Sequence, residues 1–243
     1  MELAAAQFFA SRSAQPEVMD AATMSTRDYD RCLNDLAQVN RLTQTHAPTL
    51  KWLAQQVKLH RLEREPLVIV DVGYGQGDLL RAIAAWAAKE GLDVQLHGVD
   101  LSQRCAAEAR WQTQVSLPIT FHIADVFDFE LDERPHFIVS SQFTHHLDDR
   151  QVKRFLRWAA RTASHGWFIA DLERSRVAFH AFPVLCAVAG WHPVVRRDGQ
   201  VSIARSWTAH EWRELVADAG VKAEVSRALP FRLTIASSVP VPQ

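Results

Sequence analysis

The residues placed to do chemistry are mostly acids and histidines that follow apolar runs. Asp71 and Asp78 flank the alternating glycines of Val70-Asp71-Val72-Gly73-Tyr74-Gly75-Gln76-Gly77-Asp78. Asp100 and Asp125 each close a further apolar run, and Gln142, Thr144, His145 and His146 follow a fourth. Asp171, Glu173 and Arg174 follow a fifth. A dinucleotide fingerprint, G-x-G-x-x-G/A, keeps its third position small so that pyrophosphate can sit on the helix start. Asp78 takes that place here. A carboxylate there suits the helix dipole and repels a pyrophosphate. Two acids around a glycine turn therefore suit a nucleoside that carries cations and no phosphate. A histidine, whose pKa lies near the working pH, can take a proton from a hydroxyl within hydrogen-bond reach.

These residues need a scaffold that gathers them. The β-branched run at 67–72 reads as a strand buried on both faces of a parallel sheet. It passes through the glycines into a helical stretch at 79–89, which makes a strand–turn–helix ligand site. Strands follow at 94–100, 119–125, 137–141 and 166–171. Helices are expected at 102–111, from Asp148 or Asp149 to about Arg161, and at 177–190 with a bend at Pro183. Residues 194–203 read as less regular, with a turn at Asp198-Gly199. Thr208-Ala209-His210-Glu211 opens the last helix as a capping box, and Gly220 closes it. Residues 223–229 and 231–237 form an antiparallel edge pair. Ahead of the sheet, helical periodicity runs over 28–42 and again from Pro48. The segment up to about Arg27 is expected to be loosely ordered, and residues 239–243 frayed.

The ordered motifs Val70–Gly77, Gly98-Val99-Asp100-Leu101-Ser102, Ala124-Asp125-Val126 and residues 137–147 resemble class I S-adenosylmethionine-dependent methyltransferases, over roughly residues 66–243. The resemblance implies a doubly wound α/β fold of seven mostly parallel strands, with an antiparallel C-terminal edge strand and an N-terminal helical lid. Residues 1–65 would be the helical extension and 66–243 the cofactor-binding domain. S-adenosylmethionine, with an ammonium and a sulfonium, also satisfies the charge argument. Its expected contacts are Asp71, Gly73, Tyr74, Gly75, Gly77, Asp100, Leu101, Asp125, Val126, Ser140 and Gln142. Asp100 would receive the ribose hydroxyls, with a helix N-cap as the alternative. Asp125 and the Val126 backbone would meet the adenine. Tyr74, where the family often has a small residue, would cover the methionine side. Asn40 and Arg41 would reach the methionine carboxylate, or else end a solvated helix.

On the acceptor side, His145 is the expected catalytic base, by likeness to phenolic O-methyltransferases, and His146 a pocket-lining or packing residue. Arg174 pairs with an acidic substrate group, or structurally with Asp171 or Glu173. Phe179, Phe182, Trp191 and Trp207 frame an aromatic acceptor, or belong to the core. The expected reaction is methyl transfer to a hydroxyl of a small aromatic, polyketide-like or quinone-like molecule. C- or N-methylation and a non-catalytic cofactor-binding role are the alternatives.

The remaining signals mostly exclude. Net charge is -1 over 243 residues, so neither nucleic acid nor an anionic membrane is an expected partner. No Asn-Pro-Pro-Tyr-like run follows the fourth strand, which also argues against nucleic-acid acceptors. A homodimer is left open. Cys32, Cys105 and Cys186 suit reduced thiols, and the apolar start at 3–10 lacks a basic flank, so the expected location is cytoplasmic. The histidines do not pair with acids or cysteines at metal-ligand spacing, and no metal is expected. A nicotinamide-dependent reductase is disfavoured by Asp78 and by the lack of a Tyr-x-x-x-Lys pair.

Overall fold

The computed structural model describes residues 11–19, 24–64 and 66–237. Helices α1 (Thr26–Leu42) and α2 (Ala47–His60) precede β1 (Leu67–Val72). Then come α3 (Asp78–Glu90), β2 (Val94–Asp100), α4 (Gln103–Gln112), β3 (Ile119–Ile123) and β4 (Phe137–Ser141). A 3-10 turn at Thr144–His146 leads to α5 (Asp149–Thr162) and β5 (Gly166–Leu172). Helices α6 (Arg176–Ala189), α7 (Pro193–Arg205) and α8 (Ala209–Ala219) precede β6 (Ala223–Ala228) and β7 (Arg232–Ser237).

The strands form one seven-stranded sheet in the order β3-β2-β1-β4-β5-β7-β6. β1 to β5 pair in parallel, and β7 runs antiparallel between β5 and β6. The antiparallel strand thus lies one place in from the edge, which β6 occupies. The order reverses at β1, whose neighbours are β2 and β4, and that reversal opens a crevice at the strands' carboxyl ends.

All six residues of β1 are buried, as a strand covered on both faces requires. Leu67 and Ile69 pack with Leu53 and Val57 of α2, Leu80 and Ile83 of α3, and Ala106 of α4. Val70 and Val72 belong to the opposite layer, with Phe155 and Leu156 of α5 and Trp212 of α8. A third cluster joins Cys32 and Val39 of α1 to Cys186, Trp191 and Val195 around α6 and α7.

Two expectations need correction here. Residues 193–205 are a regular helix rather than an irregular stretch with a turn. His192 caps it and Pro193 opens it. Asp198 and Gly199 serve other purposes: the Asp198 carboxylate accepts the backbone N–H groups of Val18 and Met19 (both 2.9 Å), and Gly199 lets Phe182 of α6 lie against α7. A Cβ on Gly199 would fall 2.0 Å from Phe182 Cε1.

The second concerns the N-terminal segment, where residues 11–19 are held as a strap. The Arg12 guanidinium donates to the carbonyls of Arg205 (2.6 Å), Leu147 (2.9 Å) and His145 (3.1 Å), and lies 3.4 Å over the Trp207 ring. The apolar start at 3–10 and the tail at 239–243 lie outside the described residues. Among the described residues, no helix is long and apolar enough to cross a membrane.

Candidate active site

The crevice at the carboxyl ends of β1, β2 and β4 is a cavity of about 580 Å³. Its wall includes Asp71, Gly73, Tyr74, Gly75, Asp100, Leu101, Asp125, Val126 and Gln142 of the expected cofactor set, and His145 and His146 of the acceptor set. It also includes Asn40, His46, Asp78 and Glu17.

Local geometry explains the glycines. Gly73 and Gly77 have φ of 74° and 76°, which favours glycine. A Cβ on Gly73 would also lie 2.6 Å from the Phe143 ring. The turn thereby passes backbone close to the cavity and delivers the N-terminus of α3, with Gly77 as its cap residue.

Three carboxylates surround this turn in different states. Asp71 is 1% exposed, and its Oδ1 has no hydrogen-bond partner among the described residues. Burial, then the charges of Asp78 and Asp100, raise its pKa well above the ordinary value. Asp100 is raised by burial, partly offset by the N–H groups of Ser102 (2.9 Å) and Gly75 (3.0 Å). Its helix-cap alternative falls away, because Ser102 is the N-cap of α4. Asp78 differs: burial would raise it, but His46 (3.1 Å) and Asn40 (2.7 Å) hold it below the usual range. A buried carboxylate oxygen without a partner, facing a cavity, fits a cationic ligand group. Leu101, 71% exposed, offers apolar cover beside it.

Asn40 ties the layers together. Its Nδ2 donates to Asp78 and its Oδ1 accepts from Gln142 Nε2 (2.8 Å), so α1 spans the mouth from the glycine turn to the end of β4. Arg41 is exposed and lies off the cavity wall. Tyr74 also differs from expectation. Its ring enters the core beneath β2, 5.0 Å from the Phe121 ring centroid, and packs where a Cβ on Gly98 would fall 2.6 Å from Tyr74 Cδ1.

At the other end of the cavity, His145 is 3% exposed and bound on two sides. Its Nδ1 lies 2.8 Å from Asp171 Oδ1, while the second Asp171 oxygen accepts the His145 N–H (2.9 Å) and the Thr144 hydroxyl. Its Nε2 faces Glu17 Oε1 at 3.6 Å, and His146 Nε2 lies 3.9 Å from the same oxygen. Burial would lower the His145 pKa, but Asp171 and Glu17 carry it up to about 10. Asp171 and Glu17, both pushed up by burial, are brought down to about 2 chiefly by His145. His145 is therefore not the open imidazole that a simple base requires: without another cation at Glu17, it carries a proton at neutral pH.

Several expected residues stand away from the cavity besides Gly77, whose place is the cap of α3. Ser140 is buried and donates to the Val72 carbonyl (2.9 Å), which locks β4 to β1. Arg174 pairs with Glu211 (2.6 Å) and donates to Ser206 O, so its structural partner is neither Asp171 nor Glu173. Glu173 pairs instead with Arg227 (2.8 Å). Phe179 sits in α6 with its ring edge against His180, and Arg41 has been placed above. Trp191 and Trp207 are core residues, the latter beneath Arg12. Glu17 is the site residue that sequence reasoning missed. It sits in a segment without periodicity, and only the fold brings it to His145.

Residues 69–166 match the family of the methyltransferase domain. A search of curated protein sequences finds no match. Among solved structures, the plantazolicin methyltransferase BpumL in complex with a triazolic desmethylPZN analog and SAH shares 12% identity, with 88% of this chain and 92% of that one covered at a TM-score of 0.66. The magnesium protoporphyrin IX methyltransferase (ChlM) from Synechocystis PCC 6803 with bound SAH shares 16%, covering 90% and 91% at 0.52. A SAM-dependent methyltransferase from Aquifex aeolicus shares 16%, covering 75% and 88% at 0.52. At such identities the likeness is one of fold. Residues 69–166 thus carry a methyltransferase domain, on the fold that these methyltransferases share.

Proposed function

We propose that this protein transfers a methyl group from S-adenosylmethionine to an oxygen of a small-molecule acceptor. The observation that carries the reading is the buried, unpartnered Asp71 Oδ1 at the end of β1, on a cavity whose glycine turn bears acids rather than phosphate-binding groups. In this reading Asp71 and the Gly73–Gly75 backbone hold the cationic methionine portion. Asp100 receives the ribose hydroxyls, Leu101 covers the adenine, and Asp125 with the Val126 backbone meets its edge. Gln142, fixed by Asn40, borders the methionine side. Gly77 and Ser140 act indirectly, as the cap of α3 and the tie between β4 and β1.

The bound cofactor supplies an electrophilic methyl with a good neutral leaving group. The protein's task is to align the acceptor and assist its ionisation. His145, oriented by Asp171 and protonated as described above, lies at the acceptor end of the cavity and is assigned the stabilisation of the acceptor oxygen by a donated hydrogen bond, the oxygen losing its own proton to solvent. His146 lines the same end. Arg41, Arg174 and Phe179 have no part in acceptor binding in this reading. The first two helices act as the lid over residues 66–243, with Asn40 as the contact that closes it. Support for a small acceptor comes from the structures of similar fold, a plantazolicin methyltransferase in complex with a desmethylPZN analog and a magnesium protoporphyrin IX methyltransferase. The neutral charge balance and the lack of a membrane-length helix among the described residues favour a cytoplasmic protein without nucleic-acid partners.

The test is incubation with methyl-labelled S-adenosylmethionine and a panel of phenols, hydroxyquinones and small carboxylic acids. Label should appear as a methyl ether or ester, and His145→Ala should lower kcat by about 10²–10⁴-fold. Label only on carbon or nitrogen, or undiminished turnover in that variant, would overturn the oxygen chemistry.

A further inference from the structure

Glu17 is positioned with more structure than a surface acid needs. Arg12, five residues upstream, fixes the strap through three carbonyls and the face of Trp207. One residue downstream, the Asp198 carboxylate holds the N–H groups of Val18 and Met19. Between these two anchors the Glu17 side chain is turned inward onto the acceptor end of the cavity. There its Oε1 accepts from the Ser202 hydroxyl (2.7 Å) and faces both His145 Nε2 and His146 Nε2.

The three ligand atoms, one from each of Glu17, His145 and His146, all lie within 4.8 Å of one another. The separations from Glu17 Oε1, 3.6 and 3.9 Å, are too long for good hydrogen bonds. They approach the edge of a coordination polyhedron, since bonds of about 2.0–2.2 Å to one zinc ion put tetrahedral ligand atoms roughly 3.4 Å apart. The second layer also fits. His145 Nδ1 is held by Asp171, so the proton an ion would displace is the one on Nε2, which would leave that nitrogen's lone pair on the Glu17 side. Metal-bound histidines commonly show this carboxylate partner. Glu17 and Asp171 together supply two negative charges for a dication. One feature competes: the Arg205 guanidinium stands 3.9 Å from the same Glu17 oxygen.

We propose that Glu17, His145 and His146 form a binding site for a divalent transition-metal cation of the zinc type. Two imidazoles and one carboxylate are a ligand set that zinc accepts while keeping a fourth position open. That position lies on the acceptor end of the cavity. An ion there would lower the pKa of an oxygen that reaches it, so the stabilisation of that oxygen assigned to His145 would come through the ion it holds. This last step rests on the methyl-transfer reading above; the binding of the ion does not. The absence of metal-ligand spacing in the sequence is no obstacle, because the fold joins position 17 to positions 145 and 146.

The test is a calorimetric titration of the tag-free, metal-stripped chain with zinc chloride, without cofactor or acceptor, and the same with cobalt(II) followed by its visible absorption. One ion per chain is expected. Affinity should fall at least about tenfold in Glu17→Gln and in His146→Gln, and about 10–100-fold in Asp171→Asn, which touches the ion only through His145. Circular dichroism and SAH binding, unchanged in Glu17→Gln, would show that the fold and the cofactor half are intact. No zinc uptake at one per chain, or uptake equal in wild type and in Glu17→Gln, would overturn the site and leave Arg205 and the imidazoles as the balance for Glu17. Failure to bind SAH with zinc bound normally would instead strike the methyl-transfer reading.

Discussion

At the residue scale, Asp71, the group proposed to hold the cationic end of the cofactor, would weaken the fold that presents it. Its carboxylate is buried with one oxygen unpartnered, and burial with two neighbouring acids raises its pKa. An acid raised in the folded state binds its proton more tightly there than in the unfolded chain. Its contribution is therefore neutral below the unfolded pKa of about 3.9 and destabilising as pH rises above it, up to the folded value. Asp71→Asn should raise the melting temperature of the ligand-free protein at pH 7 and weaken SAM binding about tenfold or more, the size of a charge-assisted hydrogen bond. Cofactor affinity of the wild type should fall on acidification through the raised pKa. A variant that is less stable and binds equally well would show that Asp71 is only a structural acid. The sequence could place Asp71, Asp100 and Asp125 beside the crevice because each lies at or just beyond the carboxyl end of a strand, and all three line the cavity. Arg174 and Ser140 misled for the same reason: strand ends also need partners, and Glu211 and the Val72 carbonyl claim these two. Glu17 was invisible, because nothing local marks a contact across 128 residues of chain.

At the element scale, strands and caps were read well, since their signals are local. The burial of β1, the aspartate cap of α5, the capping box of α8 and the glycine ends of α6 and α8 follow from residue type alone. Helix α7 was not legible. Asp198-Gly199 has turn chemistry, yet the helix forms because tertiary contacts use both residues: one holds the strap, the other admits Phe182. Gly199→Ala separates the two accounts. Alanine favours an isolated helix by about 1 kcal/mol. Here it should destabilise by about 1–3 kcal/mol, because the new methyl meets a packed ring. Urea unfolding measures the difference, and a stabilised variant would contradict the close packing of α6 on α7.

At the scale of the whole molecule, the reversal of strand order at β1 places the crevice, and the two apolar layers hold it open. Helix α1 and the strap close it from opposite sides. Asn40 meets Asp78 at the glycine turn, at the proposed cofactor end, while Glu17 meets the histidines at the proposed acceptor end. The sheet and the cofactor half could be anticipated from motif order, because those motifs sit on consecutive strands. Of the other half, the histidines after β4 and Asp171 could be anticipated, but not the contributions of the strap and of α7, which come from distant parts of the chain. The most direct test of the account is calorimetric titration of the intact chain with SAH and, separately, with NAD. Binding of one SAH per chain, with no measurable uptake of NAD, is the predicted result. Tight NAD binding without SAH binding would contradict it.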